Sequence, residues 1–209
     1  MIEAVIFDFD GTLADTSEFI LNSFQAVYKL FQGEEKPSEY ISEFFGEPLK
    51  TTIEREFKEP FEEVFDKYKK YQSEKFSIDV KLFDNAIKTL EYLKNRKIKL
   101  AVVTSRMRNS ILNALKELKI NQYFEVIISV DDTENHKPHK EPLMKAMTLL
   151  GVSNENTLYV GDSKFDMECA NNASTLSALT GWHSGADKLK GKYLIDYVID
   201  NLWDITNIV

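Results

Sequence analysis

Cysteine is almost missing from this sequence: Cys169 stands alone. That excludes an internal disulfide framework and fits a reducing compartment. Long apolar runs are missing too. No stretch approaches the roughly 20 residues a membrane-crossing helix needs. No basic stretch leads into an apolar one near the start, where the chain instead runs into strand-forming and acidic residues. Positive charge is in short supply: 26 Lys and Arg against 34 Asp and Glu leave a net charge of −8, with a pI near 5.0. This balance argues against nucleic acid or an anionic membrane surface as partner. The expectation is a soluble cytoplasmic protein. At 209 residues, 43% of them hydrophobic, the chain suits one core domain plus an insertion or small companion.

The opening, Glu3 to Ala14, organises what is present. Ala4 to Phe7 is a short apolar run of residues that favour buried strands. Asp8 and Asp10 follow at spacing two, then Gly11 and Thr12. On a strand that spacing puts both carboxylates on one face, and a glycine lets the backbone turn sharply. The carboxyl end of a buried parallel strand is where open α/β sheets bind ligands. Two carboxylates there repel each other unless a cation lies between them or one holds a proton. The stretch therefore reads as a metal site or an acid–base pair, with an ordinary strand and acidic turn as the plainer alternative.

From Asp15 to about Val80 the pattern is helical. Asp15 and Glu18 form a capping-box-like pair, and Phe19, Ile20, Phe24, Val27, Tyr28 and Phe31 recur at helical spacing. Gly33 with Pro37, Gly46 with Pro48, and Pro60 break the pattern. The pieces between predict short amphipathic helices over 40–45, 49–57 and 61–76, with no strand. This segment holds 13 of the 23 Phe and Tyr residues, which predicts the packed interior of a small helical bundle rather than a binding stripe.

After about Lys81 helix and strand alternate. Helices are expected over 85–95, 109–118, 141–150 (ended by Gly151) and 165–173. Strands are expected over 98–103, 124–130, 157–160, 176–179 and 197–199. Such alternation implies βαβ units and a parallel sheet, so the helical segment is an insertion after the first strand. Three features follow strands or lie in loops of this part. Thr104 ends a strand and can donate a hydroxyl hydrogen bond to an anion. Lys137, in His136-Lys-Pro-His-Lys140, can neutralise a phosphoryl group or a carboxylate. Gly161-Asp-Ser-Lys-Phe-Asp166 puts two acids at spacing four, where Asp162 can ligate a metal or cap a helix. With Asp8 and Asp10 they supply an oxygen site for Mg²⁺, a nucleophile, a base, a hydroxyl donor and a cation.

Across essentially its whole length the sequence resembles the haloacid dehalogenase superfamily of phosphohydrolases. Asp8-Phe-Asp-Gly-Thr12 matches its first motif, Val103-Thr-Ser105 its second, Lys137-Pro138 its third and Gly161 to Asp166 its fourth. Within the superfamily it is most similar to the phosphoglycolate phosphatase branch, which includes some inorganic pyrophosphatases. The resemblance implies an α/β fold: a Rossmann-like parallel-sheet core from residues 1–14 and 81–209, with an inserted helical C1 cap domain at 15–80. It implies a Mg²⁺-dependent enzyme hydrolysing a small phosphorylated metabolite. Asp8 is then the nucleophile that forms an aspartyl-phosphate, and Asp10 protonates the leaving oxygen and later activates water. Mg²⁺ is held by Asp8, the backbone carbonyl of Asp10 and Asp162, with Asp166 acting as a further ligand or through groups around the metal. Gly11, Thr12, Thr104, Ser105 and Lys137 surround the phosphoryl group, Thr104 and Lys137 stabilising its charge. The third motif departs from the branch's KPxPxP pattern, reading Lys137-Pro-His-Lys-Glu-Pro142, so Lys140 competes for the role of Lys137. Asp84-Asn85 stands where the branch commonly has Pro-Gly before the first core helix.

Other functions fit less well. A receiver domain shares the acids, hydroxyl and lysine but is shorter and has no cap. A dehalogenase lacks the second acid, here Asp10. A phosphomutase shares all four motifs, but no histidine lies in 15–80, which favours hydrolysis. A silent binding protein has no need of every catalytic residue.

Overall fold

Glu3 is followed by four fully buried residues, Ala4–Phe7, which form strand β1 at the centre of the sheet. The computed structural model describes residues 1–182 and 186–209; His183 lies outside the described residues. After β1 come β2 (Ala14–Asp15) and four helices: α1 (Ser17–Gln32), α2 (Ser38–Ser42), α3 (Leu49–Glu56) and α4 (Phe61–Asp79). Then β3 (Lys81–Leu82) returns beside β2 as an antiparallel partner, with Ala14 opposite Leu82 and Asp15 opposite Lys81. The helical segment thus leaves and rejoins the chain at one short two-stranded ladder.

The remainder alternates as the sequence pattern predicts, with α9 as an unexpected addition: α5 (Ala86–Asn95), β4 (Lys99–Val103), α6 (Arg108–Glu117), β5 (Val126–Ile128), α7 (Glu141–Leu150), β6 (Thr157–Gly161), α8 (Lys164–Ala173), β7 (Leu176–Thr180), α9 (Ala186–Leu189) and β8 (Tyr197–Ile199). Six strands make one parallel sheet in the order β5-β4-β1-β6-β7-β8. The chain moves outward from β1 through β4 to β5, then crosses to β6 on the other side. Such a reversal opens a crevice at the carboxyl ends of the strands on either side of it. Side chains alternate between the two faces, as the strand period of two requires. Val5 and Phe7 pack into one apolar cluster with Leu90, Leu93 and Leu115, whereas Ala4 and Ile6 pack into another with Leu143, Met147 and Cys169.

The helical segment has a cluster of its own, including Phe24, Tyr28, Ile41, Ile53, Phe57 and Tyr68. Phe24 meets Phe44 edge-on at 6.0 Å, and Tyr28 lies 4.9 Å from Phe57. Pro37, Pro48 and Pro60 each stand at the residue before a helix, where a fixed φ and a missing N–H cost nothing. The expected capping box of Asp15 and Glu18 does not form: Asp15 is in β2, and Thr16 precedes α1 without a side-chain cap. The strand expected over 124–130 is shorter. Phe124 closes a 3₁₀ turn at Asn121–Tyr123, and a Ser129–Asp132 capping box starts another at Val130–Asp132. Asn85 adopts φ 63° just before α5, a left-handed conformation that asparagine tolerates better than most residues. No described helix is long and apolar enough to cross a membrane.

Candidate active site

The register of the sheet brings the candidate residues to one edge. Phe7 is level with Val102 of β4 and Val160 of β6. Asp8 therefore emerges beside Thr104 and Asp162, its N–H donating to the Val160 carbonyl at 2.9 Å. Beyond Asp10 the chain turns at once: Gly11 has φ +73°, and its N–H donates to the Ala14 carbonyl at 2.9 Å. A Cβ at this position would lie 2.2 Å from Oδ2 of Asp162. Gly11→Ala is therefore expected to strain the turn and push Asp162 aside, weakening divalent-metal binding about 10- to 100-fold. Calorimetric titration with Mg²⁺ reads this directly, and wild-type affinity in the variant would show that Asp162 does not depend on the turn.

Lys137 is buried at the centre of the acidic cluster. Its ammonium donates to Asp8 at 2.9 Å and to Asp166 at 2.7 Å. Lys140, by contrast, is exposed at the start of α7. The capping role open to Asp162 falls to its neighbour. Ser163 is the N-cap of α8: its hydroxyl accepts from the Asp166 N–H, while Asp166 Oδ2 accepts from the Ser163 N–H at 3.0 Å and hydroxyl at 2.6 Å. Asp166 Oδ1 accepts from Lys137 and from the Tyr159 hydroxyl, both at 2.7 Å. Both oxygens of Asp166 are thus engaged within the protein. Tyr159 was not among the sequence candidates. It belongs to a run of apolar strand residues, and only the fold shows that its hydroxyl reaches the lysine and the acid.

Burial pushes the Asp8 carboxyl up to about 7; Lys137 pulls the other way, and the charges of Asp166 and Asp10 add to the rise. Burial raises Asp162 well above the ordinary carboxylate range, as do the charges of Asp166 and Asp8. Burial alone would also raise Asp166, but Lys137 and the bonds from Ser163 and Tyr159 hold it below that range. One carboxylate oxygen from each of Asp8, Asp162 and Asp166 falls within a 4.8 Å group. Three buried acids face one lysine, and the surplus of negative charge suits a hard divalent cation with oxygen ligands. The residues fit such an ion.

Asp10 has different company. Its two oxygens accept from Arg106: Oδ2 from Nε at 2.8 Å and Oδ1 from Nη2 at 2.7 Å. Arg106, also absent from the sequence candidates, follows the Thr104-Ser105 pair and is nearly buried, with 10% of its side chain exposed. Thr104 Oγ accepts from the Arg106 N–H at 3.2 Å, which leaves its own hydroxyl proton for another acceptor. Ser105 Oγ donates to the Gly46 carbonyl at 2.6 Å and so ties β4's end to the helical segment. Thr12 is fully buried, its hydroxyl without a partner among the described residues. Above Asp10, Ser105 and Arg106 lies a cavity of about 1000 Å³. Phe45, Phe65, Tyr68 and Phe76 line it, so part of the aromatic set expected to be packed interior also borders this space.

Residues 5–179 match the family model described as haloacid dehalogenase-like hydrolase. A PpaX-type protein of Caldanaerobacter subterraneus subsp. tengcongensis is 35% identical over 208 residues, covering 100% of this chain and 94% of its own. Pyrophosphatase PpaX of Bacillus mycoides is 32% identical over 208 residues, covering 100% and 97%. A solved haloacid dehalogenase-like family protein from Streptococcus pneumoniae superposes with a TM-score of 0.85 at 25% identity, covering 99% of this chain and 98% of that one.

Proposed function

The chain belongs to the haloacid dehalogenase-like hydrolase family, and on that premise we propose a Mg²⁺-dependent phosphohydrolase that works through an aspartyl-phosphate on Asp8. One observation carries the reading: two acids two residues apart, just beyond the end of β1, have different partners. Asp8 faces Lys137 and the other acids, while Asp10 faces Arg106 and the cavity. The first position suits a nucleophile on an electron-poor phosphorus, the second an acid that reaches the leaving oxygen.

An Asp8 oxygen attacks phosphorus as the bond to the leaving oxygen breaks, and the Asp10 carboxyl delivers a proton to that oxygen. A water then attacks the phosphoryl carried by Asp8, giving its proton to the Asp10 carboxylate, and inorganic phosphate leaves. Lys137 and the Thr104 hydroxyl offset charge on the transferring oxygens. Gly11 lets the loop close against Asp162, and Thr12, next in the chain, adds a buried hydroxyl. Asp8, Asp162 and the Asp10 carbonyl would hold the metal, which when bound supplies Lewis-acid stabilisation of phosphoryl charge. Asp166, with both oxygens engaged, orients Lys137 rather than adding a ligand. Residues 15–80 act as a cap over the site, core residues 1–14 and 81–209 carrying the chemistry.

The substrate class is a small phosphate compound; we put pyrophosphate first, a choice supported by the similarity to pyrophosphatase PpaX of Bacillus mycoides, and phosphoglycolate second. Phosphate release from a panel of these two, sugar phosphates and nucleotides tests the activity. Exhaustive chelation is expected to remove it and Mg²⁺ to restore it. Full turnover after chelation would overturn the metal assignment, and no release from any compound would overturn the activity.

A further inference from the structure

We propose that Arg106 reads the leaving group: on binding, its guanidinium passes from Asp10 to a second anionic group of the substrate. This deepens the phosphohydrolase reading and rests on it. The substrate class it selects is phosphate joined to a leaving group that bears its own charge close to the bridging oxygen, either another phosphate or a carboxylate.

The observations concern the pair itself. Asp10 accepts from two Arg106 nitrogens at 2.8 and 2.7 Å, so both its oxygens are occupied. A carboxylate held in that fork has both oxygens turned to Arg106, and releasing it lets one turn to the leaving group. Arg106 has five N–H donors. Two go to Asp10, and Nη1 bonds the Ser110 hydroxyl at 3.1 Å. Two remain, on a group that lines the cavity. The guanidinium sits 5.1 Å from the Phe9 ring centroid and 5.9 Å from that of Phe76, a position suited to a planar cation.

Charge and place then specify the ligand. The lysines lining the cavity, Lys69, Lys116 and Lys119, are exposed, whereas Arg106 keeps only 10% of its side chain exposed. Asp10 is two residues from the nucleophile, so the group that displaces it lies next to the scissile oxygen. A planar fork of donors there matches a phosphate or carboxylate bidentately. The same exchange frees Asp10 only when a charged leaving group has arrived, which couples acid–base work to recognition.

Arg106→Gln and Arg106→Lys are compared with wild type on pyrophosphate, phosphoglycolate and p-nitrophenyl phosphate, whose leaving group carries no second anion. In Arg106→Gln the ratio of kcat/KM for each anionic substrate to that for the aryl ester is expected to fall about 100-fold, with Arg106→Lys in between. Pyrophosphate and phosphoglycolate arms tell which anion the site prefers. An equal fall for 2-hydroxyethyl phosphate, an alkyl ester that needs the proton yet bears no second anion, would mean that Arg106 acts only through Asp10 and would overturn the proposal, as would a ratio that does not fall. Wild type that turns over the aryl ester alone would overturn it while leaving the phosphohydrolase reading intact; turnover of nothing would defeat both. Inhibition of the wild-type enzyme needs no variant to fold. Methylenediphosphonate is expected to inhibit at least about 10-fold more tightly than methylphosphonate, and equal inhibition would overturn the proposal.

Discussion

Asp8→Asn stops turnover. The amide keeps the size of the side chain and one acceptor oxygen for Lys137, which donates to Asp8 at 2.9 Å and retains Asp166 at 2.7 Å. The fold should therefore survive, and thermal melting within a few degrees of wild type checks it. What disappears is the nucleophile. An amide oxygen does not form a stable acyl phosphate, so the two-step route closes, and loss of at least about 10³-fold in kcat is expected. The variant should still bind a substrate analogue, because Thr104, Lys137 and Arg106 are untouched. Hydrolysis by Asp8→Asn near the wild-type rate would overturn covalent catalysis at this position.

Asp10→Asn separates the two acids. The backbone carbonyl stays, but the side chain can no longer give a proton to the leaving oxygen or take one from water. Its amide nitrogen would also face a donor of Arg106, since Nε and Nη2 now meet one oxygen each. A loss of about 10²- to 10⁴-fold is expected for an alkyl phosphate, which needs the proton to leave. p-Nitrophenolate leaves without that help, so phosphorylation of Asp8 should remain fast while dephosphorylation slows. A burst of p-nitrophenol followed by a slow phase is the expected trace in rapid-quench experiments. Wild-type rates on both esters would assign the acid–base work to another residue.

The parts of this site that were legible in the sequence are those fixed by local order. A buried strand that ends in two acids and a glycine needs only period two and one sharp turn to place Asp8 and Asp10, and the sheet does hold β1 at its centre. Asp162 and Lys137 were readable because each follows or precedes a regular element whose ends the pattern marks. Arg106 and Tyr159 were not. Arg106 is charged in a stretch where a solvated residue is the ordinary reading, and its partner lies 96 residues away. Tyr159 looks like any strand aromatic until α8 brings Asp166 to its hydroxyl at 2.7 Å. Asp15 was misread for the opposite reason. The spacing to Glu18 suited a cap, but pairing with Lys81 across the sequence overrode the local preference. In each case a contact between distant segments decided the outcome, and no window of sequence contains it.

The central claim is the covalent bond to Asp8, and trapping that bond tests it most directly. Asp10→Asn turning over p-nitrophenyl phosphate is quenched during its burst, reduced with borohydride, and digested for mass spectrometry. Reduction converts an acyl phosphate to an alcohol, so an aspartyl-phosphate becomes homoserine at its own position. Homoserine at position 8, matching the burst in amount and absent from Asp8→Asn, is the result predicted here. An unmodified Asp8 despite a burst, or the modification on any other acid, would contradict it.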